Sequence, residues 1–142
     1  MLRQYEHMVG RYRFRFINQR METLGLSGPM AFYLLEIDKN SPIKMNQLIE
    51  STPYHKSHAT RMIFKLNEMD WVEKTVDSTD QRGFVLSITE AGRKIAIDAK
   101  KALADWDQLV DGALSKEEYE IMTELTKKTY LYLKDYFGEE TK

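Results

Sequence analysis

Between Tyr54 and Asn67 the chain carries Lys56, Arg61 and Lys65 among Ser57, His58 and Thr60, and no acid, although acids outnumber bases 22 to 21 overall. Ala59, Met62, Ile63 and Leu66 recur at i, i+3, i+4 and i+7, which predicts one apolar stripe of an amphipathic helix. The opposite face then holds Lys56, Ser57, Thr60, Arg61 and Lys65, a set suited to phosphates and base edges. Lys56 and Lys65 would neutralise phosphate without choosing sequence. Arg61 can pair bidentately with a guanine edge, worth about 1–3 kcal/mol of discrimination. Ser57 and Thr60 are short enough for close approach, and the Thr60 methyl can touch a thymine methyl. His58 either reaches a base or is simply exposed. A basic helix face alone is more often merely solvated, so the elements that follow have to decide.

Those elements are Trp71–Val76, then the polar turn Asp77–Gly83, then Phe84-Val85-Leu86-Ser87-Ile88 with Phe84, Leu86 and Ile88 alternating. Helix, strand, charged hairpin and strand in that order describe a winged helix-turn-helix. At the wing tip, Arg82 suits a narrow minor groove, where negative potential favours guanidinium. Asp80 beside it would be repelled by phosphate and is better placed to hold Arg82, with Gln81 between them. Gly83 fits a tight turn in which a side chain would interfere.

The run Ser57-His58-Ala59-Thr60-Arg61, then Leu66, then Asp80-Gln81-Arg82 leading into Leu86-Ser87-Ile88-Thr89 and Gly92, resembles the MarR family of bacterial transcription regulators. Its wing pattern, Asp-x-Arg and then Leu-x-Leu-Thr-x-x-Gly, is matched with Ile88 in the second leucine place. Each piece is weak alone, but their order and spacing together are fairly specific, and the likeness covers nearly the whole chain. Two positions depart from the pattern. His55 stands where the family usually has a small polar helix cap, and Asp70 stands where it has glycine between the recognition helix and the strand. The resemblance implies that Asp80 holds Arg82, that the terminal helices form a dimer, and that regulation is more often repression. It also implies a small-molecule effector bound between the dimer region and the DNA-binding lobe, for which Phe14, Arg15, Met30 and Tyr33 are the candidates.

The totals agree with one domain. A chain of 142 residues buries about 70% of its unfolded surface, enough for a core without metal or disulfide. With no cysteine, thiol redox sensing and Cys-based zinc sites are excluded. His55, His58 and His7 are the only histidines, which makes a structural zinc site a poor reading and a metal-responsive regulator a distant third class. No apolar run approaches a membrane span and no signal-peptide core opens the chain, so a cytoplasmic protein without a membrane role is expected. Net charge −1 and a pI near 6.3 place any DNA binding on a local patch. No Gly-rich phosphate loop, nucleophile elbow or HExxH signature occurs, so neither an enzyme nor a cofactor is expected.

The remaining segments supply the frame. Leu2, Tyr5, Val9, Tyr12 and Phe16 follow a 3,4,3,4 spacing, the seam of a packed helix. Arg11–Phe16 also alternates like a strand, but the longer spacing begins earlier and no turn bounds it. Phe14 and Ile17 widen the apolar surface, which implies a second subunit. Ser27-Gly28-Pro29 starts a helix whose buried face is Met30, Tyr33, Leu34 and Ile37, and Lys39-Asn40-Ser41-Pro42 ends it. Met45, Leu48 and Ile49 mark the first helix of the helix-turn-helix, and Ser51-Thr52-Pro53 the turn. Thr89 caps a helix with Ile95, Ala99, Ala102, Leu103 and Trp106 on one side. Ser115-Lys116-Glu117-Glu118 is a capping box opening a last helix with Met122, Leu125, Thr129, Tyr132 and Tyr136 along one side.

The expected fold is therefore mainly α with a small antiparallel β-hairpin wing. It is one domain over 1–142, with a DNA-binding lobe at 28–92 flanked by dimerisation helices at 1–25 and 93–142. Arg11, Arg13, Arg15 and Arg20 near one end, against Glu117, Glu118, Glu120, Glu124, Asp135, Glu139 and Glu140 near the other, can be solvated faces, a charge-registered dimer interface, or in part a pocket for an anionic effector. The interface ranks first. The expected function is a sequence-specific regulator acting as a homodimer on an inverted repeat in double-stranded DNA. The alternative is a winged-helix protein-interaction module without DNA binding. A steep fall of affinity with salt separates the two.

Overall fold

The computed structural model describes residues 2–52 and 54–138, so Pro53, Glu139, Glu140 and the side chain of Leu2, all used in the sequence reading, lie outside the described residues. The chain divides into two compact units, Met1–Ala104 and Asp105–Lys142.

The first unit opens with α1 (Leu2–Thr23), which settles the choice between helix and strand at Arg11–Phe16. Helix α2 (Gly28–Asn40) begins where Ser27 accepts the Met30 N–H at 3.2 Å, with Pro29 in the first turn. It buries Met30, Ala31, Tyr33, Leu34 and Ile37, the expected face with one alanine added. A two-residue strand β1 (Ile43–Lys44), beyond the expected hairpin, precedes α3 (Met45–Ser51) and α4 (Lys56–Glu68). Strands β2 (Val72–Val76) and β3 (Phe84–Ile88) form the hairpin. The sheet is antiparallel in the order β1-β3-β2, with Ile43 opposite Leu86 and Lys74 also opposite Leu86. The wing is thus a three-stranded sheet; two residues bounded by a helix breaker and a helix start are too short to show strand periodicity.

Helix α5 (Glu90–Asp111) follows directly. Its start is fastened to the turn after α4 through Thr89, whose Oγ1 donates to the Asp70 carbonyl at 2.6 Å and accepts the Gly92 N–H at 2.9 Å. Asp70 occupies the left-handed region at φ 57°, the conformation the family's glycine would take. Gly92 answers a different demand: a Cβ there would overlap the Trp71 carbonyl oxygen. At Gly83, by contrast, a Cβ would meet nothing nearer than 3.5 Å, so the crowding expected in the wing turn is found instead at the head of α5.

The core of this unit is built from α2, α3, α4 and the sheet, with Tyr33, Leu34, Ile37, Leu48, Ala59, Ile63, Leu66, Val72 and Leu86 almost wholly shielded. Ala96, Ala99 and Ala102 complete it, small side chains along the buried line of α5. Asp38 of α2 holds Lys100 at 2.8 Å and Arg93 at 3.7 Å, pinning α2 to the first half of α5.

The second unit contains the end of α5 and helix α6 (Lys116–Tyr136). Its capping box is formed as expected: Ser115 accepts the Glu118 N–H at 3.2 Å and Glu118 accepts the Ser115 N–H at 2.9 Å. No residue of α6 is buried. Among the described residues no helix is long and apolar enough to cross a membrane.

Candidate DNA interface

The apolar stripe of α4 packs fully, with Ala59, Met62, Ile63 and Leu66 all buried. That fixes the helix about its axis, and Lys56, Ser57, Thr60, Arg61 and Lys65 are all exposed on the other side, as the pattern requires. Phe64 stands exposed among them, 59% accessible. The sequence signal for it is its place off the apolar stripe, where an aromatic residue has nowhere to be buried.

The start of the helix is polar in an unusual way. His55 takes the cap position with extended backbone, and its Nδ1 accepts the Ser57 N–H at 3.2 Å and lies 2.8 Å from Ser57 Oγ. The imidazole therefore does the work of the small polar cap it replaces. The first turn holds Lys56 and no acid, the reverse of what the helix dipole favours, which costs about 0.3–1 kcal/mol. The same arrangement adds a full positive charge to the N–H groups at the helix start and draws anions to that end. Thr60 donates its hydroxyl to the Lys56 carbonyl at 2.9 Å, leaving its oxygen lone pairs as acceptors.

His58 is less displayed than its polar neighbours on α4. It is half-buried, with Nδ1 3.3 Å from the Tyr33 hydroxyl and its ring 4.8 Å from that of Tyr54. Tyr33, wholly shielded, also lies 3.4 Å from Thr52 Oγ1, and Thr52 accepts the Tyr54 N–H at 3.2 Å. Both contacts of the Tyr33 hydroxyl are long, hence individually weak. Together they join α2, the turn and α4 through polar groups that would otherwise be buried without partners. His58 thus ties α4 to α2 and the turn, contacts that sequence spacing does not reveal.

At the wing, Asp77 and Gly83 close the hairpin through an N–H to carbonyl bond of 3.0 Å, and Thr79 to Arg82 project as an exposed tip. Asp80 does hold Arg82, but by accepting its main-chain N–H at 3.1 Å. Gln81 and the Arg82 side chain are exposed. Below the tip, Asp77 is buried, accepts both the N–H and the hydroxyl of Thr79 at 2.9 and 2.8 Å, and faces Lys44 of β1 at 3.5 Å. These hydrogen bonds, the main-chain one foremost, hold its carboxyl below the ordinary aspartate range despite burial, with Lys44 adding attraction.

The effector candidates are not brought together. Phe14 and Arg15 are exposed on α1 and line a cavity of about 600 Å³ with His7, Met8, Gly10, Arg11 and Tyr12. Met30 and Tyr33 lie in the core and do not line it.

No protein-family model matches the chain. It is 30% identical over 106 residues to the HTH-type transcriptional regulator BilQ of Clostridioides difficile, covering 75% of this chain and 70% of that protein. The chain belongs to the MarR family of winged helix-turn-helix transcription regulators. Among solved structures, a MarR variant from E. coli complexed with operator DNA is 24% identical with a TM-score of 0.78, covering 90% of this chain and 92% of that one. The MepR–DNA complex of S. aureus is 16% identical with a TM-score of 0.80, covering 93% and 98%. These two likenesses establish the fold. Within the MarR family pattern, the arrangement described above keeps the paired Thr60 and Arg61 exposed and replaces the usual cap and glycine with His55 and Asp70.

Proposed function

We propose that the protein represses transcription as a homodimer, binding an inverted repeat in double-stranded DNA, and that a small molecule releases it. It acts by binding, without catalysis, in the cytoplasm. The observation that carries this reading is the exposed, acid-free face of α4, held outward by a fully buried apolar stripe. Two such helices related by a two-fold axis enter successive major grooves about 34 Å apart. Lys56 and Lys65 take phosphates, Arg61 and Thr60 read base edges, Ser57 contacts phosphate or base at close range, and Arg82 enters the minor groove beside the wing.

The dimer reading is supported by what α1 and α6 leave uncovered. Tyr5, Met8, Val9, Tyr12 and Phe14 on α1, and Ile121, Leu125, Tyr132 and Tyr136 on α6, are exposed in the single chain. Apolar surface on that scale marks an interaction site. For the effector, Arg11 and Arg15 beside Phe14 and Tyr12 suit a small organic anion. Release from operator by such anions, lost in Arg15→Ala, is the measurement that checks it. DNA binding is tested by selecting duplexes from a random pool at physiological salt and titrating the winner with salt. An enriched inverted repeat and a steep negative slope of log K against log salt are expected. No enrichment, or a flat slope, removes the proposal.

A further inference from the structure

Phe64 is the one large apolar side chain exposed within the polar face of α4. At 3.6 residues per turn it falls between Thr60 and Arg61 around the circumference, one turn beyond Thr60 and about 6 Å further along the axis. Ser57, on the preceding turns, is exposed at nearly the same angle. Phe64 therefore sits near the middle of the displayed arc rather than at its edge. Its neighbours on that arc carry Lys56, Arg61 and Lys65, so whatever covers the ring is also strongly anionic. A protein partner would have to bring acids around an apolar pocket, whereas DNA brings phosphates around the only apolar group in its major groove, the thymine C5 methyl.

We propose that Phe64 reads a thymine methyl in each half-site, about 6 Å further along α4 than any that Thr60 could touch. This rests on the DNA-binding reading, and the experiment separates the two. The wild-type protein selects a duplex from a random pool, and each thymine of one half-site is then replaced singly by 2′-deoxyuridine, which removes the methyl and leaves every hydrogen-bonding group intact. One position is expected to weaken wild-type binding about three- to fivefold, the scale of one buried methyl group. In Phe64→Ala the same replacement should change affinity by less than about 1.5-fold, while Phe64→Leu keeps most of the discrimination. Circular dichroism of Phe64→Ala checks that α4 remains formed, as expected for so exposed a side chain. Wild-type indifference at every thymine overturns the inference while leaving DNA binding in place. Equal sensitivity of wild type and Phe64→Ala also overturns it, because another side chain then reads the methyl. If no duplex is enriched, the DNA-binding reading fails and this inference with it.

Discussion

Helix α6 starts on a reciprocal capping box, Ser115 with Glu118, and places Glu117 and Glu118 in its first turn. Helix α4 starts on His55, with Lys56 in its first turn and no acid. Local rules thus favour α6 and disfavour α4. Burial runs the other way: four residues of α4 are buried and none of α6. A helix locked by tertiary packing tolerates a poor start, and can leave its positive end free for an anion. A helix with an uncovered apolar side needs a good start to persist until a partner covers it. The two faces left open are accordingly of different kinds, one polar and basic, the other mixed and rich in leucine and tyrosine.

The largest expected effect tests that contrast directly. Leu66→Ala removes a side chain with no solvent exposure and should cost about 3 kcal/mol in denaturant unfolding. Leu125 on α6 is 59% accessible, and Leu125→Ala should change unfolding at low protein concentration by less than about 0.5 kcal/mol. Sedimentation should instead show weaker self-association. Equal and concentration-independent losses in both variants would mean that α6 is no less finished than α4, and the contrast would fall.

The basic face comes next. Arg61→Ala should lose about 1–3 kcal/mol on the selected duplex and relax preference at one base pair of the half-site. Arg82→Ala should weaken binding to all sequences and lower the salt slope by about one. Should Arg61→Ala behave like Arg82→Ala, with a uniform loss and no change in sequence preference, the α4 face would be a phosphate clamp rather than a reader.

How legible these features were in the sequence depended on whether a local rule governed them. Helix caps at Ser27, Thr89 and Ser115, the apolar stripe of α4 and the hairpin strands all follow from short-range patterns, and the structure has them. Strand β1 did not announce itself because it exists only through its pairing with β3. His58 was ambiguous because its partner Tyr33 is 25 residues away, and spacing carries no information about such a contact. Asp70 showed the reverse limit: the family pattern marked the left-handed turn, and the residue that takes it is one of the few besides glycine that tolerate φ > 0. Phe64 was visible as a break in the periodicity but acquires meaning only once its neighbours are known to be displayed.

A smaller effect is expected at the start of α4. His55→Ala removes the acceptor for the Ser57 N–H and should destabilise the lobe by about 0.5–1 kcal/mol, while His55→Ser restores most of it. Thermal unfolding of the three proteins side by side is the check. If Ser is no better than Ala, the imidazole contributes something other than a cap, and the α4 start is less deficient than its comparison with α6 suggests.

The finest test concerns the wing, where a side-chain cap again holds an exposed element. The Asp77 carboxylate is stabilised by Thr79, chiefly through its N–H, and then by Lys44, so its folded pKa lies below the ordinary 3.8. A depressed carboxyl contributes stability that is fully present above the unfolded value and lost as pH falls through the folded one. Wild type should therefore exceed Asp77→Asn in stability at pH 7, and the gap should narrow only below about pH 4. Urea midpoints measured between pH 7 and pH 3 give both curves. Parallel curves across that range would show that the ionised form of Asp77 does not matter, and that the wing turn is held by its main-chain bond to Gly83 alone.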